Sequence, residues 1–313
     1  MTAQPLAWLF PGQGSQTAGM GRALADVSPA ARAIFDAADA TLGFSLSSLC
    51  FNGPQAELDS TINTQPALLT TSIAVLRALE EAVDQHGLTL PQPMFCAGHS
   101  LGEYSALVAA GALDFADALR LVRERGRLMQ QAGEAQPGGM AALIGADDAK
   151  AEAVVADLPG VQVANFNAPG QIIVSGAAEG IARLAEVAKA HGVRKVIPLA
   201  VSIAAHSALM GSVVDEFRAA VEATPMQPPR MPVIGNVHAR PLGDVAAVRR
   251  ELVDQLTASV RWTAGVEYMA AHGVTRFIEL GPGAVLINMV KRILKEPDVR
   301  AIGTPEDIQA YLG

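Results

Sequence analysis

Residues 95–104 read FCAGHSLGEY. A short apolar run ends on Gly98, Ser100 stands between Gly98 and Gly102, and a helical pattern begins at once over residues 101–110. This is the pattern G-x-S-x-G. A serine on a sharp strand-to-helix turn needs glycine two positions to either side, because neighbouring backbone passes too close for a Cβ. Such a turn exposes the hydroxyl at the carboxyl edge of a sheet. The helix that follows offers free N–H groups to a developing oxyanion. Five residues with two free positions also occur by chance, and an ordinary helix N-cap is the other reading of Ser100. The strand before and the helix after supply the context that a nucleophile requires.

Outward from this turn the chain alternates strand and helix. Leu6–Phe10 reads as a buried strand closed by Pro11 and Gly12, followed by two helices and a loop, then a longer helix near 66–83. Helices are expected at 101–110 and 115–131. Residues 138–198 have a different rhythm: strand 140–144, helix 147–158, strands 161–165 and 172–176 joined by a turn at 167–170, helix 178–191 and strand 195–199. That order, β-α-β-β-α-β, is a ferredoxin-like unit. Helix 209–223, strand 231–236, helices 246–256 and 262–272, strand 276–280 and helix 285–294 complete the reading. The fold class expected is α/β: a large hydrolase-like domain with a parallel sheet over 1–134 and 200–313, and a small ferredoxin-like domain inserted at 135–199.

A serine nucleophile needs a base, and the chain has six histidines. His86, His191 and His272 each precede a glycine at the end of an expected helix, the ordinary C-terminal arrangement. His99 adjoins Ser100 on the turn and is expected to point away and support it. His238 lies in a turn with nothing to promote it. His206, in VSIAAHSALM, enters a helix where the chain returns to the large domain, which makes it the candidate base. No acid obviously completes a triad: Asp215, Glu216 and Asp254 all read as helix-surface residues.

Arg125 has Leu121, Val122, Leu128 and Met129 at helical spacing on either side, so it lies on the apolar stripe of its helix. A buried guanidinium must be paired. A structural salt bridge is one reading, and a clamp for a substrate carboxylate is the other. The loop after the first strand, Gly12-Gln13-Gly14-Ser15-Gln16, lacks the lysine and the spacing of a phosphate loop. Beside an active site, its N–H groups could supply an oxyanion donor.

Half of the residues are apolar and 17% are charged, which excludes disorder; the net charge of -8 gives no global attraction to nucleic acid or anionic lipid. Cys50 and Cys96 lie far apart and form no metal or disulfide pattern, as suits a reducing compartment. No apolar run is long enough to span a membrane, and the first residues lack a basic leader. A cytoplasmic protein is expected.

Six motifs now stand in order: PGQGSQ at 11–16, GHSLGEYSALVAAG at 98–111, RGRLMQ at 125–130, NFNAPGQIIVSG at 165–176, HSALM at 206–210 and ELGPGAVL at 279–286. Together they resemble the malonyl-CoA:acyl-carrier-protein transacylases of bacterial fatty acid synthesis, over nearly the whole chain. The resemblance implies that Ser100 attacks the malonyl thioester and that His206 serves as base and then acid. It implies that Gln13 and Leu101 give N–H groups to the oxyanion and that Arg125 binds the malonyl carboxylate. Gln255, in VDQL, matches the position whose oxygen orients the histidine, which accounts for the missing acid. Asn165 and Asn167 would lie near the cleft and bear on CoA or pantetheine binding. Malonyl-CoA and an acyl carrier protein would be the partners, CoA enters as a substrate thioester, and no metal or redox cofactor is implied.

One departure concerns Ile203-Ala204-Ala205, where much of the family has phenylalanine or serine just before the histidine; Ala205 leaves room for a methylmalonyl group. Lys291, Arg292 and Lys295 are candidates for carrier docking, with a solvated helix face as the plainer reading. The alternatives are an acyl-thioester hydrolase on the same residues, a non-catalytic carrier-binding subunit, and a malonyltransferase serving a polyketide synthase or a malonate decarboxylase.

Overall fold

The computed structural model describes residues 5–201 and 203–313. Among the described residues, ten strands form two sheets. In chain order they are β1 (Leu6–Phe10), β2 (Phe95–Gly98), β3 (Gly138–Ile144), β4 (Val161–Ala168), β5 (Gln171–Ala177), β6 (Lys195–Pro198), β7 (Val233–Ile234), β8 (Pro241–Leu242), β9 (Arg276–Leu280) and β10 (Asp298–Ile302). The larger sheet runs β10-β9-β1-β2-β7-β8 and is parallel except for β8, which turns back on β7. Its central strand is buried on both faces. Leu6, Trp8 and Phe10 join the core under helix Thr61–Gln85, while Ala7 and Leu9 join the core formed with Val266, Phe277 and Val290.

The smaller sheet is antiparallel, in the order β4-β5-β3-β6, with helices Asp148–Ala156 and Ala178–Ala190 packed on it in the ferredoxin-like arrangement. It is inserted between β2 and β7 of the larger sheet. The register slips twice along β4, between Val163 and Asn165 and between Phe166 and Ala168. Strict alternation would send residue 165 to the same side as Val161 and Val163. The bulge changes the phase, so Phe166 enters the small core and Asn165 and Asn167 face the cleft between the sheets.

Several elements differ from the sequence reading. The long helix starts at Thr61 and runs through Pro66. The carbonyl of Ile62, which loses its helical donor at Pro66, accepts from Arg123 Nη1 at 2.8 Å instead. The helix expected at 209–223 opens as a 3-10 segment, Ala208–Val213, before Val214–Ala223. The strand expected at 231–236 is only Val233–Ile234, because the chain turns back into β8. Strand β10 and helix Pro305–Leu312 were not expected at all, since an edge strand alternating with solvent carries no apolar run. His86, His191 and His272 are helix C-cap residues, as read. No helix among the described residues is long and apolar enough to cross a membrane.

Candidate active site

Strand β2 delivers the chain to the carboxyl edge of the parallel sheet, and the backbone reverses into helix Gly102–Ala109. Ser100 sits at the reversal with φ 50°, a left-handed conformation that costs a residue bearing a Cβ about 1–2 kcal/mol. A Cβ on Gly98 would lie 1.9 Å from the carbonyl of Gly102, and one on Gly102 would lie 2.0 Å from the carbonyl oxygen of Phe10. Both glycines are therefore obligatory. Asn236, just beyond β7, locks the turn from the side. Its Oδ1 accepts from the Ser100 N–H at 2.7 Å, and its Nδ2 donates to the Gly98 carbonyl at 2.8 Å.

The Ser100 hydroxyl is 2.8 Å from Nε2 of His206. The other ring nitrogen, Nδ1, is 2.8 Å from the main-chain oxygen of Gln255. A carbonyl can only accept, so Nδ1 carries the proton and Nε2 presents its lone pair to Ser100. His206 is 3% exposed and has φ 57°. Its loop is held by Gln162 of β4, whose Nε2 donates to the carbonyls of His206 and Thr257 at 3.1 and 3.0 Å. Burial first, and then the charge of Arg125, push the His206 pKa down from 6.5 to about 3. The imidazole is neutral and basic only towards a proton delivered at contact range.

Arg125 lies on helix Phe115–Ala135 and is 1% exposed. Nη1 donates to Gln65 Oε1 at 2.9 Å; Nη2 donates to Gln255 Oε1 at 2.8 Å and to Ser100 Oγ at 3.2 Å. Nε has no partner. Among the described residues, no Asp or Glu forms an ion pair with it. Among the described residues the structural salt bridge considered from the sequence is absent: the buried cation is held by the neutral amides of Gln65 and Gln255 and the Ser100 hydroxyl, and lies 5.6 Å from the centre of the Tyr104 ring.

Ser100, His206, Arg125, Gln13, Leu101, Asn165 and Asn167 all line one cleft of about 460 Å³ between the two sheets. Apolar side chains including Met129, Met140, Ile203 and Met289 form its walls, and Ala205 lies beside His206. Gln255 lies beneath the floor, fully buried. The N–H groups of Gln13 and Leu101 donate to no group among the described residues. Asn167 Oδ1 is taken by Nε2 of His99 at 2.7 Å, and the His99 ring packs on Trp262. Of the docking candidates, Arg292 is not free: it donates to the Pro169 carbonyl and to Gln171. Sequence reasoning missed Asn236, Gln65, Gln162 and Glu103, polar residues whose partners are distant in the chain. The one available signal was that each is polar inside a run otherwise destined for the core.

A serine with a positioned base, two free N–H groups and a cleft of this size make up the equipment of acyl transfer through serine. The family model for the acyl transferase domain matches residues 7–309, and the chain belongs to that family. It is 46% identical over 308 residues to the malonyl CoA-acyl carrier protein transacylase of Bacillus subtilis, covering 97% of this chain and 95% of that protein. It is similar to the solved acyl carrier protein S-malonyltransferase of Vibrio cholerae, with a TM-score of 0.92, 40% identity, and coverage of 98% of this chain and 100% of the other. It is also similar to a malonyl-transacylase solved in complex with a type II PKS acyl-carrier protein, with a TM-score of 0.92, 38% identity and 99% of both chains covered. These findings agree with the resemblance read from the six motifs.

Proposed function

We propose that this protein moves a malonyl group from malonyl-CoA to the phosphopantetheine thiol of an acyl carrier protein through a malonyl-serine intermediate. The observation that carries the reading is Arg125: a buried guanidinium without a carboxylate partner, 3.2 Å from the Ser100 hydroxyl, suits an acyl group that brings its own carboxylate. The identity to named malonyl transacylases over nearly the full chain supports it.

In the first half-reaction His206 Nε2 takes the Ser100 hydroxyl proton as Oγ attacks the thioester carbon. The N–H groups of Gln13 and Leu101 receive the negative oxygen. Collapse breaks the carbon–sulfur bond, the thiolate takes the proton from Nε2, and CoA leaves as its thiol. In the second half-reaction the carrier thiol gives His206 its proton, sulfur attacks the seryl ester, and Oγ leaves and recovers the proton. Every step is proton or acyl transfer between this chain and its two substrates, so the reaction is written without a metal or redox cofactor. Asn165 and Asn167 are assigned to the wall along which the pantetheine arm runs. The buried free thiols Cys50 and Cys96 suit the cytoplasm, where we place the reaction.

The test is intact mass after brief incubation with malonyl-CoA or acetyl-CoA, for the wild type and Ser100→Ala. The expected result is a malonyl adduct on the wild type alone, discharged by added carrier protein. Free malonate without carrier and without an adduct would favour the hydrolase, and neither product would favour a non-catalytic role.

A further inference from the structure

Behind the nucleophile lies a second buried layer that the reaction as written does not use. Glu103 is on the first turn of the helix after Ser100 and is fully buried. Its Oε2 accepts from the Asn236 N–H at 3.0 Å and from Gln255 Nε2 at 3.0 Å; its Oε1 has no partner. Both donors belong to residues that shape the site. Asn236 locks the Ser100 turn, and the Gln255 side chain holds Arg125.

The Gln255 amide could face either way without a constraint. Arg125 has only donors, so it needs the oxygen end. At the other end, Gln255 Nε2 reaches Glu103 and, at 3.2 Å, the carbonyl of Ser100. Glu103 Oε2, the nearer of these two acceptors, and the Ser100 carbonyl together favour the amide orientation that faces Oε1 to Arg125. Resting on the malonyl-transfer reading, we propose that Glu103 is a positioning residue for the acyl carboxylate: its Oε2 sets the Gln255 amide and, through it, the place of the Arg125 guanidinium beside Ser100.

The surroundings shift the Glu103 carboxyl towards its neutral form. Arg125 faces Glu103 from helix Phe115–Ala135, and Glu251 faces it from helix Val245–Asp254; Tyr104 adjoins it, and Asp254 and His238 act on Glu251. Burial, and then Glu251, raise the Glu103 carboxyl well above the usual carboxylate range, against the smaller opposing influences of the hydrogen bonds from Gln255 and Asn236 and, last, the charge of Arg125. An oxygen that accepts two N–H bonds has a close mimic in glutamine, which can place its own Oε1 there. Methionine keeps the volume and removes the acceptor, and aspartate withdraws it by one methylene.

The experiment compares Ser100 loading from malonyl-CoA and from acetyl-CoA, by rapid quench and intact mass, in the wild type, Glu103→Gln, Glu103→Met and Glu103→Asp. Displacing a binding group by about 1 Å costs up to about 100-fold, so Met and Asp are expected to lower malonyl kcat/KM by about 10- to 100-fold and the malonyl-to-acetyl ratio by a similar factor. Glu103→Gln is expected to restore the wild-type ratio. Equal losses on both acyl groups in Met and Asp would overturn the proposal, as would a Gln variant with as low a ratio as Met. If Met does not fold, the Asp and Gln pair decides in the same way. A wild type with no preference for malonyl would remove the functional reading itself; a wild-type preference that every variant keeps would remove only the role of Glu103.

Discussion

Arg125→Ala isolates the claim on which the substrate assignment rests. In the proposed complex the malonyl carboxylate meets a guanidinium that is 1% exposed and anchored by Gln65 and Gln255. Removing one partner of a buried charge pair costs about 3–5 kcal/mol, because the other charge is left without compensation. At about 1.4 kcal/mol per factor of ten, malonyl kcat/KM should fall by about 100- to 4,000-fold. Acetyl-CoA has no carboxylate to strand. It loses only the 3.2 Å contact of Arg125 with Ser100 Oγ, while His206, freed from the neighbouring charge, becomes more basic. These effects oppose each other, and acetyl kcat/KM should change by less than about tenfold. The assay is single-turnover loading of Ser100 with each CoA ester, read by mass. If both esters slow by the same factor, Arg125 supports the nucleophile and does not recognise a carboxylate, and the reasoning fails.

The pH dependence follows from the depressed His206. Its pKa near 3 in the free enzyme means that the base is already neutral above about pH 4, so malonyl kcat/KM should show no acid limb near the ordinary imidazole value of about 6.5. Once the malonyl carboxylate sits on Arg125, the second cause of the depression is offset and the pKa rises; the acid limb of kcat should therefore lie at higher pH than that of kcat/KM, and coincident limbs would contradict the coupling. Gly98→Ala should abolish loading and lower stability by about 3 kcal/mol or more, measured by urea unfolding, since its Cβ would lie 1.9 Å from main-chain atoms that cannot rotate away; a wild-type midpoint would show that the turn is looser than the geometry states.

Local features were the legible ones. The strand, the two glycines and the helix around Ser100 are contiguous, so their sterics are written in five residues. The burial of Arg125 followed from apolar neighbours at helical spacing, and the C-terminal caps at His86, His191 and His272 from the glycine after each. What the sequence reading could not show was pairing across the chain. Asn236 and Ser100 are joined over 136 positions and Gln255 and Glu103 over 152, and nothing in either segment names its partner. The side on which Asn165 and Asn167 emerge depends on a bulge in β4, which reverses the alternation that the pattern itself suggests. The orienting group for His206 was found by resemblance alone, since a main-chain carbonyl leaves no side-chain signature.

That carbonyl belongs to a consistent choice of charges. His206 is oriented by the oxygen of Gln255, and Arg125 is held by the amide oxygens of Gln65 and Gln255. Every oxygen that touches these two residues is neutral. A carboxylate behind His206 would make it a stronger base, but would also repel an anionic substrate and pair with Arg125 in its absence. With neutral oxygens, the guanidinium stays unpaired until an anion enters the cleft. The same anion offsets the charge that holds His206 low. The proposed substrate therefore strengthens the base that will act on it, and an acyl group without a carboxylate meets a weaker one. Selectivity on this account has two parts, a bound carboxylate and a base tuned by it, and the difference between the acid limbs of kcat and kcat/KM measures the second apart from the first.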